Sequence, residues 1–266
     1  MDKKVTPYMS YWSGGYNGEP SEFIINLHKL SAHYAEKTFG EIHFITDSKS
    51  LPFFEKIKFS SISTELDSLD IEYESVWALS KLYVYKLLAE KNIPFIHIDY
   101  DVFLMGGLNE SFLSSPIFAQ SIETNINEFY DIEYFKKNCP NLHDLINPNV
   151  NHAYNVGIFG GHDVKFIADY ANKAISITLD NDNKDFMIND KNLNNIYWRK
   201  SVMLEQYYLA VLLEKYNKNI TLLLKGETWD VIKKEAKNKG YIHLLSMKGD
   251  GQIINKINDM VKRYKL

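Results

Sequence analysis

The chain of 266 residues is 45% hydrophobic and 14% aromatic, with 18 Tyr and 15 Phe, which excludes a disordered segment and suits one large core. Its net charge of −4 and its lack of a long basic block leave no nucleic-acid footprint, so no nucleic acid is expected as a partner. The single Cys139 allows no internal disulfide. Met1 to Lys4 shows no signal-peptide pattern, and no apolar run nears the roughly 20 residues of a spanning helix, so a cytoplasmic protein is expected.

Val5 to Tyr11 predicts a first strand. It opens into Trp12-Ser13-Gly14-Gly15-Tyr16-Asn17-Gly18, a loop whose glycines admit close backbone approach to a ligand. It is not a phosphate loop, because the Gly-Lys-Ser/Thr ending is missing. After Ser21-Glu22, the residues Phe23, Ile24, Leu27, Leu30 and Tyr34 share one face and predict a helix. A second strand is expected over Glu41 to Thr46, closed by Asp47-Ser48. A helical turn within Phe53 to Ile62, a short strand at Leu69 to Glu72 and a helix from Val76 to Glu90 follow. Strand, helix, strand, helix, strand implies an α/β fold: one domain with a mostly parallel central sheet and helices on both faces, whose ligands bind beyond the carboxyl ends of the strands.

Pro94-Phe95-Ile96-His97-Ile98-Asp99-Tyr100-Asp101-Val102-Phe103-Leu104 anchors the chain: an apolar, β-branched run that opens into two carboxylates one residue apart. In an extended backbone Asp99 and Asp101 project to the same side. Two anionic groups at the end of a buried strand need a cation or hydrogen-bond donors, and a hard divalent ion that also holds phosphate oxygens meets that need. The plainer reading is a strand followed by an acidic turn.

Beyond Gly106-Gly107, a strand is expected at Pro116 to Gln120. A long polar insert follows from Glu123 to His152, with a helix near Glu128 to Lys137, and it reads as a binding loop or lid. Tyr154 to Gly161 is a glycine-flanked strand, followed by a helix from Asp163 to Ile177 and a second polar loop from Asp180 to Asn195. A helix over Met203 to Tyr216 carries Glu205-Gln206; strands are expected at Ile220 to Leu224 and Tyr241 to Leu245. The last helix, Ile253 to Leu266, bears Lys256, Lys262, Arg263 and Lys265. It offers a peripheral contact with an anionic membrane face, against the ordinary reading of a solvated helix end.

Lys81 on its helix, Asp99-x-Asp101, Asn155-x-Gly157, Glu205-Gln206, and His243 with Lys248 fall in an order that resembles the GT-A nucleotide-sugar glycosyltransferases, typified by glycosyltransferase families 8 and 32. The resemblance implies a single Rossmann-like GT-A domain over residues 1–266, with a nucleotide-binding part at about 1–105 and an acceptor and catalytic part at about 106–266. It implies Mn²⁺ or Mg²⁺ as cofactor, held by Asp99, Asp101 and His243. Tyr11, Ser13, Lys81, Asp99 and Lys248 would contact the donor, with Lys86 competing with Lys81. Glu205, Gln206 and Asn155 would sit beside the sugar and the acceptor. The partners it implies are a nucleotide-sugar donor, with uridine as the expected base, and a hydroxyl acceptor in a glycan or glycolipid of the bacterial surface, at the inner face of the membrane. A retaining transfer is expected.

Each element has a plainer reading: solvated lysines, a core strand with packing glycines, an exposed polar helix face and a core histidine. The His243 to Lys248 spacing is a residue shorter than the family pattern, and the usual Gly and Pro-Trp are absent. Two other readings stay open at this stage. One is a haloacid-dehalogenase-like phosphohydrolase with Asp99 as nucleophile and Asp101 as acid/base. The other is a nucleotide-sugar-binding relative without turnover.

Overall fold

A computed structural model of the chain describes residues 4–16, 19–69, 71–73, 76–124, 126, 130–138, 145–189, 197–226 and 228–266. Nine strands are described: β1 Thr6–Ser10, β2 His43–Ile45, β3 Ser61–Ser63, β4 Phe95–Ile98, β5 Val102–Leu104, β6 Phe118–Glu123, β7 Ala153–Gly161, β8 Thr221–Leu222 and β9 Tyr241–His243. Seven form one sheet in the order β3-β2-β1-β4-β7-β6-β8, and β5 pairs with β9 in a separate ribbon. The pairs β1 with β2, β1 with β4, β2 with β3 and β6 with β8 are parallel, whereas β7 runs antiparallel to both its neighbours. The mostly parallel sheet is as expected.

The core lies on both faces of that sheet. On one, the helices Ala78–Glu90 and Val164–Leu179 pack on each other and on Phe95 and Phe159. On the other, Met9, Phe44, Ile96 and Ile158 pack with Ala32 and Ala35 of the helix Glu22–Phe39, whose Ser21 cap accepts from the Ile24 amide. The C-terminal helix Gly251–Tyr264 docks on Glu22–Phe39 through Ile257 and Val261. No described helix is long and apolar enough to cross a membrane.

Three expectations change. Leu69 to Glu72 is not a strand: 3₁₀ turns occupy Glu65–Ser68 and Ile71–Tyr73, and Asp67 ties this stretch to Ser48 instead of to a ladder (2.7 Å to its amide, 2.6 Å to its hydroxyl). Asp180 to Asn195 is partly helical, because Asp180 caps a turn at Asn181–Asn183 that runs into the helix Lys184–Asn189; residues 190–195 lie outside the described ones. The run 94–104 is not one strand but two, broken by a turn at 99–101. A further helix, Trp229–Asn238, was not expected from the sequence; it buries only Ile232, with Trp229 and Val231 exposed. The expected helix near Glu128 to Lys137 is described as Ile132–Asn138; Asn17, Gly18 and several residues of the 123–152 insert lie outside the described ones.

Candidate active site

The alternation of β4 aims the acids. Phe95 and His97 face the helix Ala78–Glu90, where Tyr85 lies edge-on to His97, whereas Ile96 and Ile98 join the opposite core. Asp99 continues the first of these faces and meets Lys81 of that helix, with Nζ 2.8 Å from Oδ1 and 3.1 Å from Oδ2. The strand ends here: Asp99 donates its amide to the Gly157 carbonyl (2.9 Å) and accepts from the Val102 amide (3.0 Å), which closes a tight turn. The turn, and not an extended backbone, brings Asp101 to the same place. Of the two lysines weighed from sequence, Lys81 faces the acids, whereas Lys86 lies over the Tyr83 ring.

The ribbon completes the cluster. Val102 pairs with His243, and the Leu244 amide donates to the Asp101 carbonyl at 3.1 Å, so a residue from the last tenth of the chain is zipped beside the acid. His243 Nε2 lies 3.4 Å from Asp101 Oδ1 and Lys248 Nζ 2.9 Å from Oδ2. His243 Nδ1 and the Tyr241 hydroxyl both approach Gln120 Oε1, at 2.7 and 2.6 Å, and an amide oxygen accepts. That assigns a proton to Nδ1 and leaves Nε2, which faces Asp101, as the ring atom that would ligate a metal. Gly157 is what allows it: a Cβ there would lie 2.4 Å from Gln120 Oε1 and 2.5 Å from His243 Nδ1. Gly160, by contrast, serves packing alone, against the Phe95 carbonyl.

Glu205 is placed by an irregularity. Met203–Tyr207 is a π-helical turn between the helices Tyr197–Val202 and Tyr208–Lys215, a feature frequent at functional sites. Its Glu205 is fully buried, with Oε1 2.6 Å from Lys81 Nζ, so Lys81 bridges Glu205 and Asp99. Glu205 thus holds Lys81 in place against Asp99. Gln206 is half-buried and meets Tyr130, while Asn155 donates from Nδ2 to Glu123 (2.8 Å) and accepts the Gly157 amide (3.0 Å).

Burial raises the Asp99 pKa against the opposing pull of Lys81, with Asp101 adding to the rise. Burial also works to raise Asp101, but His243 and Lys248 outweigh it and hold that carboxyl below the usual range. Burial pushes Glu205 up to about 7, partly offset by Lys81. Burial works against the charge on Lys81, and Asp99 and Glu205 more than restore it, so its pKa is raised. His97, buried beside Lys81, is held well below its ordinary value by burial first and that lysine second.

Tyr11 and Ser13 sit at the β1 end. The Tyr11 ring is buried against His28 and Phe54, and the Ser13 amide donates to Asp47 Oδ2 at 2.6 Å. The structure therefore gathers Lys81, Asp99, Asp101, Glu205, His243 and Lys248 into one cluster and leaves Tyr11 in the core beside it. Gln120, Glu123, Tyr130 and Tyr100 escape sequence reasoning; the one signal is Gln120, the polar residue that closes the apolar run Pro116-Ile117-Phe118-Ala119. Two surface recesses, one lined by Tyr34, Lys37 and Met105 and one by His152, Tyr154 and Glu214, do not include the acids.

Asp99, Asp101 and His243 each offer one ligand atom, all within 4.8 Å of one another. Two carboxylates and a neutral imidazole suit a divalent ion such as Mn²⁺, with Mg²⁺ less favoured by the nitrogen donor. Lys81 and Lys248 supply the compensating positive charge in this structure, and the Lys248 side chain is 38% exposed, at the rim of the cluster.

A family model described as "Family of unknown function (DUF6734)" matches residues 12–265. No curated protein matches the chain. Among solved structures, it is similar to the apo structure of the WbbM bifunctional glycosyltransferase, at 10% identity and a TM-score of 0.53, over 92% of this chain and 46% of that one. It thus spans less than half the length of that protein. It also matches a glycosyltransferase involved in glycosylation of the major capsid of PBCV-1 (13% identity, TM-score 0.47, 96% of this chain and 100% of that chain). A third match is mouse xyloside xylosyltransferase 1 in its apo form (10%, 0.44, 87% and 93%). The likeness to the first establishes a glycosyltransferase-like fold.

Proposed function

The chain belongs to this family of unknown function, DUF6734, and we propose that it is a metal-dependent glycosyltransferase of GT-A type, related in plan to families 8 and 32. It moves a sugar from a nucleoside-diphosphate donor, with uridine as the base, to a hydroxyl of a glycan or glycolipid at the inner face of the bacterial membrane. The convergence of Asp99, Asp101 and His243 at strand ends of a glycosyltransferase-like fold carries this reading. Residues 1–105 supply the nucleotide side and 106–266 the acceptor and catalytic side of one domain.

Asp99, Asp101 and His243 would hold Mn²⁺ or Mg²⁺, which supplies Lewis-acid neutralisation of the departing diphosphate. Lys248, half-exposed, leaves Asp101 to meet the diphosphate, while buried Lys81 pairs with Asp99 and orients it. Ser13 and the β1 loop lie on the donor side. Asn155 and Gln206 orient sugar hydroxyls, and the Gln206 amide dipole stabilises positive charge developing at the anomeric carbon. Glu205, fully buried and paired with Lys81, is ill suited to act as an inverting base, in keeping with a retaining transfer.

A panel of nucleotide sugars with Mn²⁺ tests this. Release of nucleoside diphosphate is expected, and its loss in Asp101→Ala. Release of phosphate from phosphate esters with labelling of Asp99 would replace the reading with a phosphohydrolase. Metal-dependent nucleotide binding without turnover on any donor or acceptor would leave a binding protein.

A further inference from the structure

The polar insert meets Gln206 of the π-helical turn at the Tyr130 phenol. Tyr130, 1% exposed and within the expected lid, places its hydroxyl 2.7 Å from Glu123 Oε2 and 2.7 Å from Gln206 Oε1. Glu123 ends β6, and its other oxygen takes the Asn155 amide at 2.8 Å. Glu123 has no ion-pair partner among the described residues, so neutral donors alone satisfy it. Asn155, Glu123, Tyr130 and Gln206 thus form one hydrogen-bonded row from β7 to the turn that carries Glu205.

One phenol has one proton, and two oxygens face it. The carboxylate is the stronger acceptor and takes it. Burial, with Glu123 beside it, raises the Tyr130 pKa well above its ordinary value, so the proton stays on the phenol. The Tyr130 oxygen is then left as an acceptor, and the Gln206 side chain satisfies it by turning its amide nitrogen inward and its carbonyl oxygen outward, an assignment that the hydrogen-bond pattern dictates.

We propose that Tyr130, held by Glu123, is a positioning residue that fixes the polarity of the Gln206 amide, so that Gln206 presents its oxygen to the sugar. This rests on the glycosyltransferase reading above and adds a residue of the insert to it. It assigns the insert a role in the chemical step in addition to acceptor recognition. Tyr130 touches no substrate itself.

The test compares Tyr130→Phe with Tyr207→Phe. Both remove a buried hydroxyl next to the insert, but Tyr207 donates to the backbone carbonyls of Asn147 and Val150 and anchors the insert without meeting Gln206. With a nucleotide sugar and Mn²⁺, Tyr130→Phe is expected to lower kcat roughly tenfold with donor KM within about twofold, and Glu123→Gln to lower it in the same way. Tyr207→Phe is expected to keep kcat. Should wild type turn over while Tyr130→Phe keeps its kcat, or should both Phe variants lose it equally, this role for Tyr130 falls and the transferase stands. Should wild type turn over no donor, the transferase falls and takes this role with it.

Discussion

Asp101 is the residue on which the site turns, and its surroundings explain how a 2% exposed carboxylate stays charged: His243 and Lys248 oppose the effect of burial. Lys81 opposes burial at two acids at once, Asp99 and Glu205, without outweighing it. Lys81→Met would leave Glu205 buried without a cation and is expected to lower unfolding stability by about 3–5 kcal/mol, whereas Lys81→Met with Glu205→Leu recovers most of it. Urea unfolding of the two variants checks this; a double variant as weak as the single one would refute the pairing. A neighbouring residue predicts a pH response. His28 is fully buried, stacks on Tyr100 and is pushed down to about 4 by burial. Its folded pKa lies below the unfolded value of about 6.5, so the unfolded chain binds the extra proton between those limits and stability falls as pH drops through them. By pH 4 the wild type is expected to lose about 3 kcal/mol relative to a His28→Leu variant. Parallel stability-versus-pH curves for the two proteins would contradict that.

Elements decide which residues meet. The β4 strand was legible from its apolar run, and so were the helix carrying Lys81 and the Asn-x-Gly strand, because each has a clear period or composition. The turn after Asp99 was not, since an i, i+2 acidic pair reads the same in a strand and in a turn; the break shows only once Val102 closes onto Asp99. Nor could sequence pair β5 with β9, which lie well over a hundred residues apart, or show the π-helical turn that draws Glu205 behind Lys81. The β7 strand carries the sharpest element-level prediction. Gly157→Ala puts a methyl where Gln120 and His243 meet and is expected to weaken Mn²⁺ binding roughly 10–100-fold with the fold intact, since it disturbs the partner that orients a ligand. Calorimetric titration and circular dichroism read the two effects separately; unchanged Mn²⁺ affinity would remove His243 and its amide partner from the metal shell.

For the whole molecule, one sheet draws β1–β4 from the first part of the chain and β6–β8 from the second, and the acids sit where these meet, between β1 and β7. The mostly parallel sheet was readable from the alternation of strands and helices; its strand order, the antiparallel β7 and the long-range closure that builds the site were not, because His243, Lys248 and Gln120 reach it only through tertiary packing. On the proposed reading this junction binds a cation together with a nucleotide sugar. The direct measurement is nucleoside diphosphate release from a panel of nucleotide sugars by wild type and Asp101→Ala, with Mn²⁺ and with chelator. Release by wild type is expected, abolished by chelator and missing in Asp101→Ala. Release indifferent to chelator and to residue 101 would contradict it.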